Sequence, residues 1–362
     1  MIPLFKPFMP QGIEEEVGKV LYSGSLSYGA NAIKFESELR KFIGNEFTLS
    51  LSGNSIHFAL KLLDIKDGDE VIVSPMCCLM TSQPVSYCGA KVVWCDIDPL
   101  TGTLSPEDLR NKITKKTKAI IHYHWSGNIG YIDEINAIAR ELNIFVIEDA
   151  SESFGAKYKG NCIGNTGSDI TCYSFTPVRL PNAINSSGIS FSKKEIFERA
   201  LLQRDLGIER AKFRDAISEI DPNCDINVIG DSCLIDDLTG LIGLNQMAHI
   251  QSLLDSQRKT ANIWSKFSST TQGVTSLTPR GEVLQSYWTY TLLANNRDEL
   301  LNRLRSNGIY ASKLHMRNDH YSLFGRFDSR LLGVNKFADM QLCVPCGWWV
   351  DDSELENCIA SV

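Results

Sequence analysis

The sequence predicts an α/β protein: a large domain built on a doubly wound, mostly parallel sheet, followed by a smaller C-terminal α/β domain. Three observations predict it. Short apolar runs rich in β-branched residues recur from about residue 46 to residue 192. Stretches with helical character separate them. The runs are apolar almost throughout rather than alternating with polar residues, the pattern of strands covered by helices on both faces.

In chain order, residues 47–52 read as a strand and 56–63 as the helix after it. Residues 70–75 form a short apolar run ended by Pro75. A strand follows over 91–98 and another over 118–125, then a helix over 133–142 and a strand over 144–149. Residues 170–175 and 188–192 add two more strands. In sheets of this kind ligands sit at the carboxyl ends of the strands. Asp149, His124 and Ser174 lie at or near such ends.

Residues 205–231 are polar and irregular, with Asp221-Pro222-Asn223 as a turn. A long helix is expected over 238–256, and the strand-like 286–292 and helix-like 297–305 form the smaller domain. The expected division is 1–240 for the large domain with its N-terminal segment and 241–362 for the small one.

Composition narrows the function classes. The chain has 362 residues, 43% apolar and 22% charged, enough for a large core. A net charge of −7 argues against a general nucleic-acid binder. No apolar run has the length of a membrane span. The opening Met1-Ile2-Pro3-Leu4-Phe5-Lys6-Pro7 lacks the basic start and apolar core of a signal peptide. The 11 cysteines are scattered. Cys343-Val344-Pro345-Cys346 has no second pair or nearby histidines, so reduced, mostly buried thiols and no metal site are expected. A cytoplasmic setting fits.

Several segments are more specific. They include Gly24-Ser25-Leu26-Ser27-Tyr28-Gly29, Gly68-Asp69-Glu70-Val71-Ile72-Val73, Asp96-Ile97-Asp98 and, above all, Ile147-Glu148-Asp149-Ala150-Ser151-Glu152-Ser153-Phe154-Gly155-Ala156. Together with Cys172-Tyr173-Ser174-Phe175-Thr176-Pro177-Val178-Arg179 they resemble the DegT/DnrJ-type nucleotide-sugar aminotransferases, enzymes of the fold-type I pyridoxal-phosphate (PLP) class. The resemblance runs nearly the full length and weakens after residue 205. It implies a homodimer with sites at the interface, a nucleotide-sugar ligand, and a role in surface-polysaccharide or glycan biosynthesis.

The resemblance also assigns residues. Asp149 matches the aspartate that pairs with the pyridine nitrogen and lets the ring act as an electron sink; the plain alternative is a strand-end cap. Ser174 matches a serine on the cofactor phosphate. Ser52, Gly53 and Asn54 fall on the turn before a helix whose backbone amides favour a phosphate; their register is open by one residue. His315, in Lys313-Leu314-His315, matches a histidine near the sugar, or is a surface turn.

The departures carry more weight. The Schiff-base lysine falls on Arg179. Such a bond needs an amine that can lose its proton, and a guanidinium stays charged and is a poor nucleophile. The usual Gly-Glu-Gly-Gly run reads Asn185-Ser186-Ser187-Gly188. The aromatic residue that stacks on the ring falls on Leu79, or on Cys78 in a shifted register. The glutamine or histidine near the cofactor hydroxyl falls on Glu152. The loop that reaches the partner's phosphate reads Gly230-Asp231-Ser232-Cys233-Leu234, without its asparagine and arginine. Lys157, Lys159, Lys193 and Lys194 do not match the reactive position.

Four functions remain open at this point. Ordinary transamination is supported by the fold and opposed by Arg179. A lysine-free sugar dehydratase relative would hold pyridoxamine phosphate (PMP) non-covalently, with His122 or His124 as base in place of arginine. A cofactor-free sugar-nucleotide enzyme would use Arg179 to grip a carboxylate or phosphate, with Glu152, Asp149 and His124 as acid–base groups. A non-catalytic paralogue would bind the sugar nucleotide or stabilise an active subunit. Gly347-Trp348-Trp349 could line a sugar site or pack between domains.

Overall fold

The computed structural model describes residues 1–325 and 327–362. Its centre is a seven-stranded sheet of β1 (Thr48–Ser52), β2 (Glu70–Val73), β3 (Lys91–Trp94), β4 (Thr117–Tyr123), β5 (Phe145–Asp149), β6 (Ile170–Ser174) and β7 (Ser186–Phe191). The spatial order is β1-β7-β6-β5-β4-β2-β3. β7 runs antiparallel to both of its neighbours, and the remaining pairings are parallel.

Neighbouring residues of one strand enter different cores. Ile121 and Ile147 join one apolar cluster, while Ile120 and Val146 join another. Successive side chains point to opposite faces of a strand, so both faces of this sheet are covered, as the unbroken apolar runs predict.

Helix α1 (Ala30–Ile43) precedes β1, α2 (Ser55–Leu62) follows it, and α3 (Leu79–Tyr87) follows β2. The smaller domain has its own antiparallel sheet of β8 (Val274–Ser276), β9 (Tyr290–Ala294) and β10 (Gln341–Val344).

Three elements differ from expectation. The strand over 91–98 stops at Trp94, because Asp96 turns to accept from the backbone N–H groups of Gly333 at 2.9 Å and Val334 at 2.7 Å, capping the helix Leu332–Met340. The long helix is two, α4 (Asp237–Met247) and α5 (Ile250–Thr270), with the break at Ala248-His249. The strand over 286–292 begins only at Tyr290, since Tyr287 has φ of +57°, which extended backbone does not allow.

A boundary at 240/241 falls inside α4. Asp237 caps α1 by accepting from the backbone of Asn31 at 2.8 Å, and Gly240 lies directly against the backbone of Ala32. Helix α4 therefore sits with the large domain. Trp348 and Trp349 donate from their indoles to the carbonyls of Lys6 at 3.3 Å and Pro3 at 2.8 Å. They pin down the N-terminal segment, so packing is the use the structure gives this pair.

Candidate functional site

The register of β7 builds the site. Ser52 pairs with Ser186, and Ser174 with Ser187. Because β7 is antiparallel, its first residues stand beside the carboxyl ends of β1 and β6. Asp149 ends β5 next to them. A cavity of about 130 Å³ opens there, lined by Gly53, Asn54, Asp149, Ser174, Arg179 and the two serines of β7 among others. A larger hollow of about 990 Å³ lies by Tyr28, Arg204 and Ser232. It contains none of the strand-end groups, which all line the smaller one.

Gly53 has φ of +84°, a left-handed turn that suits glycine. It delivers Asn54 to cap α2, where the side-chain oxygen accepts from the backbone of Ile56 at 2.8 Å and His57 at 3.2 Å. The amide of Asn54 donates to the carbonyl of Met80 at 2.8 Å, joining the starts of α2 and α3. Asp149 is buried; its Oδ2 accepts from Thr81 Oγ1 at 2.6 Å and its Oδ1 from the backbone of Ser151 at 3.0 Å.

Arg179 follows β6 through a turn closed by its backbone N–H to Thr176, at 2.9 Å. Its guanidinium carbon lies 3.5 Å from the centre of the Trp288 ring. The Trp288 indole is locked by donating to the Val178 carbonyl at 2.7 Å, and Phe5 stacks on it at 4.6 Å. Nη2 of Arg179 donates to Glu152 Oε1 at 3.5 Å, while Nε and Nη1, both buried, have no hydrogen-bond partner.

Glu152 is itself buried. Its Oε2 accepts from the backbone of Ser126 at 2.8 Å, and its Oε1 meets His315 Nε2 at 3.1 Å. Burial pushes its carboxyl up, but the hydrogen bond from His315 and the charge of Arg179 outweigh that, and it is held below the ordinary carboxylate value. Tyr123 Oη lies 3.4 Å from the same histidine nitrogen, and burial drives its phenol well above the usual range.

Comparison with known proteins bears directly on this arrangement. Residues 9–362 match the DegT/DnrJ/EryC1/StrS aminotransferase family. The chain belongs to this family. It is 30% identical to the GDP-perosamine synthase of Escherichia coli O157:H7 over 311 residues, 84% of this chain and 81% of that one. The sugar aminotransferase CalS13 of Micromonospora echinospora superposes with a TM-score of 0.93 at 27% identity, covering 100% of this chain and 99% of the other. AtS13 of Actinomadura melliaura gives 0.93 at 28%, covering 100% and 98%. The fold is therefore the fold-type I architecture of the sugar aminotransferases.

The family works with pyridoxal phosphate, and the residues fit it in part. The buried Asp149 carboxylate suits a protonated ring nitrogen. The Gly53 turn and Ser174 suit a phosphate. The covalent anchor does not fit, since no lysine lines the cavity among the described residues. Lys159 pairs with Asp133, Lys193 with Asp169 and Lys194 with Glu198, all away from it.

Of the residues singled out in the sequence, Gly53, Asn54, Asp149, Ser174 and Arg179 line the cavity, and Glu152 and His315 stand behind Arg179. Three do not line it. Ser52 is one residue too early, and Ser55 takes the place in the lining. Leu79 starts α3 outside it, and Cys78, the shifted register, lines it instead. His124 lies on the other face of the sheet. Tyr123 is paired with Asp149 and His122 with Glu148, so alternation places Tyr123 with the site and the histidines opposite. His124 Nε2 meets the buried Glu148 at 3.1 Å, a structural pair. Thr81, Tyr123 and Trp288 were not singled out, although alternation along β4 could have separated Tyr123 from its neighbours. Asp231 is neutralised by Lys61 at 2.6 Å.

His122 gives a pH prediction. It is fully buried, neither ring nitrogen has a partner, and burial, with His124 and Arg280, holds its pKa well below 6.5. The unfolded chain binds a proton that the folded chain refuses, so the stability this group contributes is complete above pH 6.5 and falls as pH drops toward the depressed value. His122→Leu should flatten this part of the stability-versus-pH curve in urea titrations; an unchanged slope would refute the assignment.

Proposed function

We propose that the chain acts on or binds a nucleotide sugar in glycan biosynthesis without a lysine Schiff base, and is not an ordinary transaminase. The observation that carries this is Arg179, stacked on Trp288 and paired with Glu152, at a cavity with no lysine in its lining among the described residues. A guanidinium cannot form the imine that the family uses. The relative named above, GDP-perosamine synthase, supports a nucleotide sugar as ligand. A homodimer in the cytoplasm completes the reading, in keeping with the family; no helix among the described residues is long and apolar enough to cross a membrane.

A second reading, a lysine-free dehydratase relative, is favoured by Asp149. That carboxylate would hold the ring nitrogen of non-covalently bound pyridoxamine phosphate, which supplies an electron sink when present. His315, rather than His124, is then the histidine placed to hold or move a proton, through its Nε2 contact with Glu152.

The test is chemical trapping beside a binding measurement. Protein incubated with pyridoxal phosphate and reduced with borohydride should carry no pyridoxyl-lysine in peptide mass spectra. Calorimetry should detect a nucleoside-diphosphate sugar. Arg179→Lys should create an adduct at position 179. A wild-type adduct together with glutamate-dependent amination of a keto sugar would overturn the proposal.

A further inference from the structure

Arg179 belongs to the large domain, yet its charged head is spent on the small one. It follows β6, while Trp288 stands two residues before β9, just ahead of the small domain's sheet. The guanidinium carbon lies 3.5 Å from the centre of the Trp288 ring. Trp288 is itself held, since its indole donates to the carbonyl of Val178 at 2.7 Å and Phe5 stacks on it at 4.6 Å. Nε and Nη1 of the arginine are sealed from solvent and have no hydrogen-bond partner, and Nη2 turns to Glu152 at 3.5 Å. Those two nitrogens are thus closed to a ligand, although the residue takes part in the cavity wall.

The same junction carries further contacts. Ser126 Oγ meets Thr289 Oγ1 at 2.6 Å, the Trp125 indole donates to Thr291 Oγ1 at 3.1 Å, and Glu152 Oε1 meets His315 Nε2 at 3.1 Å. Their large-domain members lie just past the carboxyl ends of β4 and β5, as Arg179 does past β6. These strands are neighbours in the sheet, so adjacent strand ends give the small domain one continuous anchorage. Ser126, Glu152, Arg179, Trp288, Thr289 and Thr291 are all buried. Relative motion is the usual state of two domains whose contact is modest and polar. Here a guanidinium out of water lies on an indole face, the setting in which a cation–π contact is strongest. Opening the junction breaks that stack and the hydrogen bonds together.

We propose that Arg179 and Trp288 form an interdomain lock, which holds the small domain in one orientation at the rim of the cavity in the ligand-free protein. The arginine serves the junction rather than the ligand. The lock does not depend on which ligand the cavity takes, so it stands or falls separately from the function proposed above.

The experiment is hydrogen exchange followed by mass spectrometry on ligand-free, full-length protein. It compares wild type with Arg179→Met, Trp288→Phe and the double variant. The readouts are peptides over 286–294 and 311–317, with β2 as internal reference. Arg179→Met removes the charge and the planar stack and keeps an apolar stem. It should speed exchange in both segments about tenfold, the scale of one desolvated cation–π contact, and leave β2 unchanged. Trp288→Phe keeps a ring and loses the indole donor to Val178; it should speed the same segments several-fold. The double variant should exchange no faster than the more affected single variant, the mark of one shared contact. Multiplied effects mean that the two residues act apart, and overturn the lock. So does unchanged exchange in both segments. Acceleration spread evenly over β2 and the rest of the chain also overturns it, since Arg179 then supports global stability. If Arg179→Met fails to fold, Trp288→Phe decides by the same readout: local acceleration over 286–294 and 311–317 supports the lock, and its absence overturns it.

Discussion

Glu152→Ala should lower the unfolding free energy by about 3–5 kcal/mol, the cost of removing one partner from a buried ion pair. Glu152 is the only carboxylate on Arg179 among the described contacts, and it also holds the Ser126 backbone and His315. Without it the guanidinium stays buried against Trp288 with no counter-charge. Urea unfolding followed by circular dichroism reads the loss as a lower midpoint. A second signature is acid dependence. The folded carboxyl is held below its ordinary 4.5, so its contribution is present above that pH and is lost as pH falls through the folded value. The alanine variant should lack this part of the acid response. A loss under about 1 kcal/mol, the range of an exposed pair, would show that Arg179 reaches solvent or another partner.

Glu36→Ala should cost a similar ~3–5 kcal/mol, by the same mechanism. Glu36 is buried in α1 and accepts from Arg204 Nη1 at 2.5 Å, from Arg40 Nη2 at 2.6 Å and from the backbone of Ser50 at 2.8 Å. It joins α1, β1 and the start of the irregular segment after residue 204. Its removal leaves two guanidinium groups facing each other and a buried β1 amide unpaired. Arg204 retains only its bond to the Ser50 carbonyl, at 3.2 Å. Glu36→Gln keeps the shape and an acceptor, and should cost less than alanine. Equal stability of wild type and the alanine variant would sink the argument.

The strands were legible because apolar periodicity is a local property. The strand expected over 144–149 forms as Phe145–Asp149, and that over 170–175 as Ile170–Ser174. The elements misjudged are those governed by distant partners. Asp96 ended its strand to cap a helix more than 230 residues away in sequence. The break between α4 and α5 leaves α4 with the large domain, while α5 reaches the small one, where Trp264 donates to the Pro345 carbonyl at 2.8 Å.

The site divides in the same way. Asp149, Ser174, Gly53 and Asn54 were legible because they sit at strand ends in a motif that resembles the family's. Leu79 and Ser52 were missed by one residue, the scale at which a resemblance cannot settle register. His124 was misplaced because a one-residue step along β4 changes the face of the sheet, and which face holds the cavity depends on what packs there. His315 was named, but its contact with Glu152 spans 163 positions of chain and had no local trace.

By itself, then, the sequence determined the doubly wound sheet and the lineage, because each is written in residue type and short-range spacing. Only the tertiary structure decided what surrounds Arg179: Trp288 over its face, Glu152 at one nitrogen, and two others unpaired. Trp288 comes from a segment over 100 residues downstream, and chain closure on that scale follows from packing of the whole core rather than from any local signal.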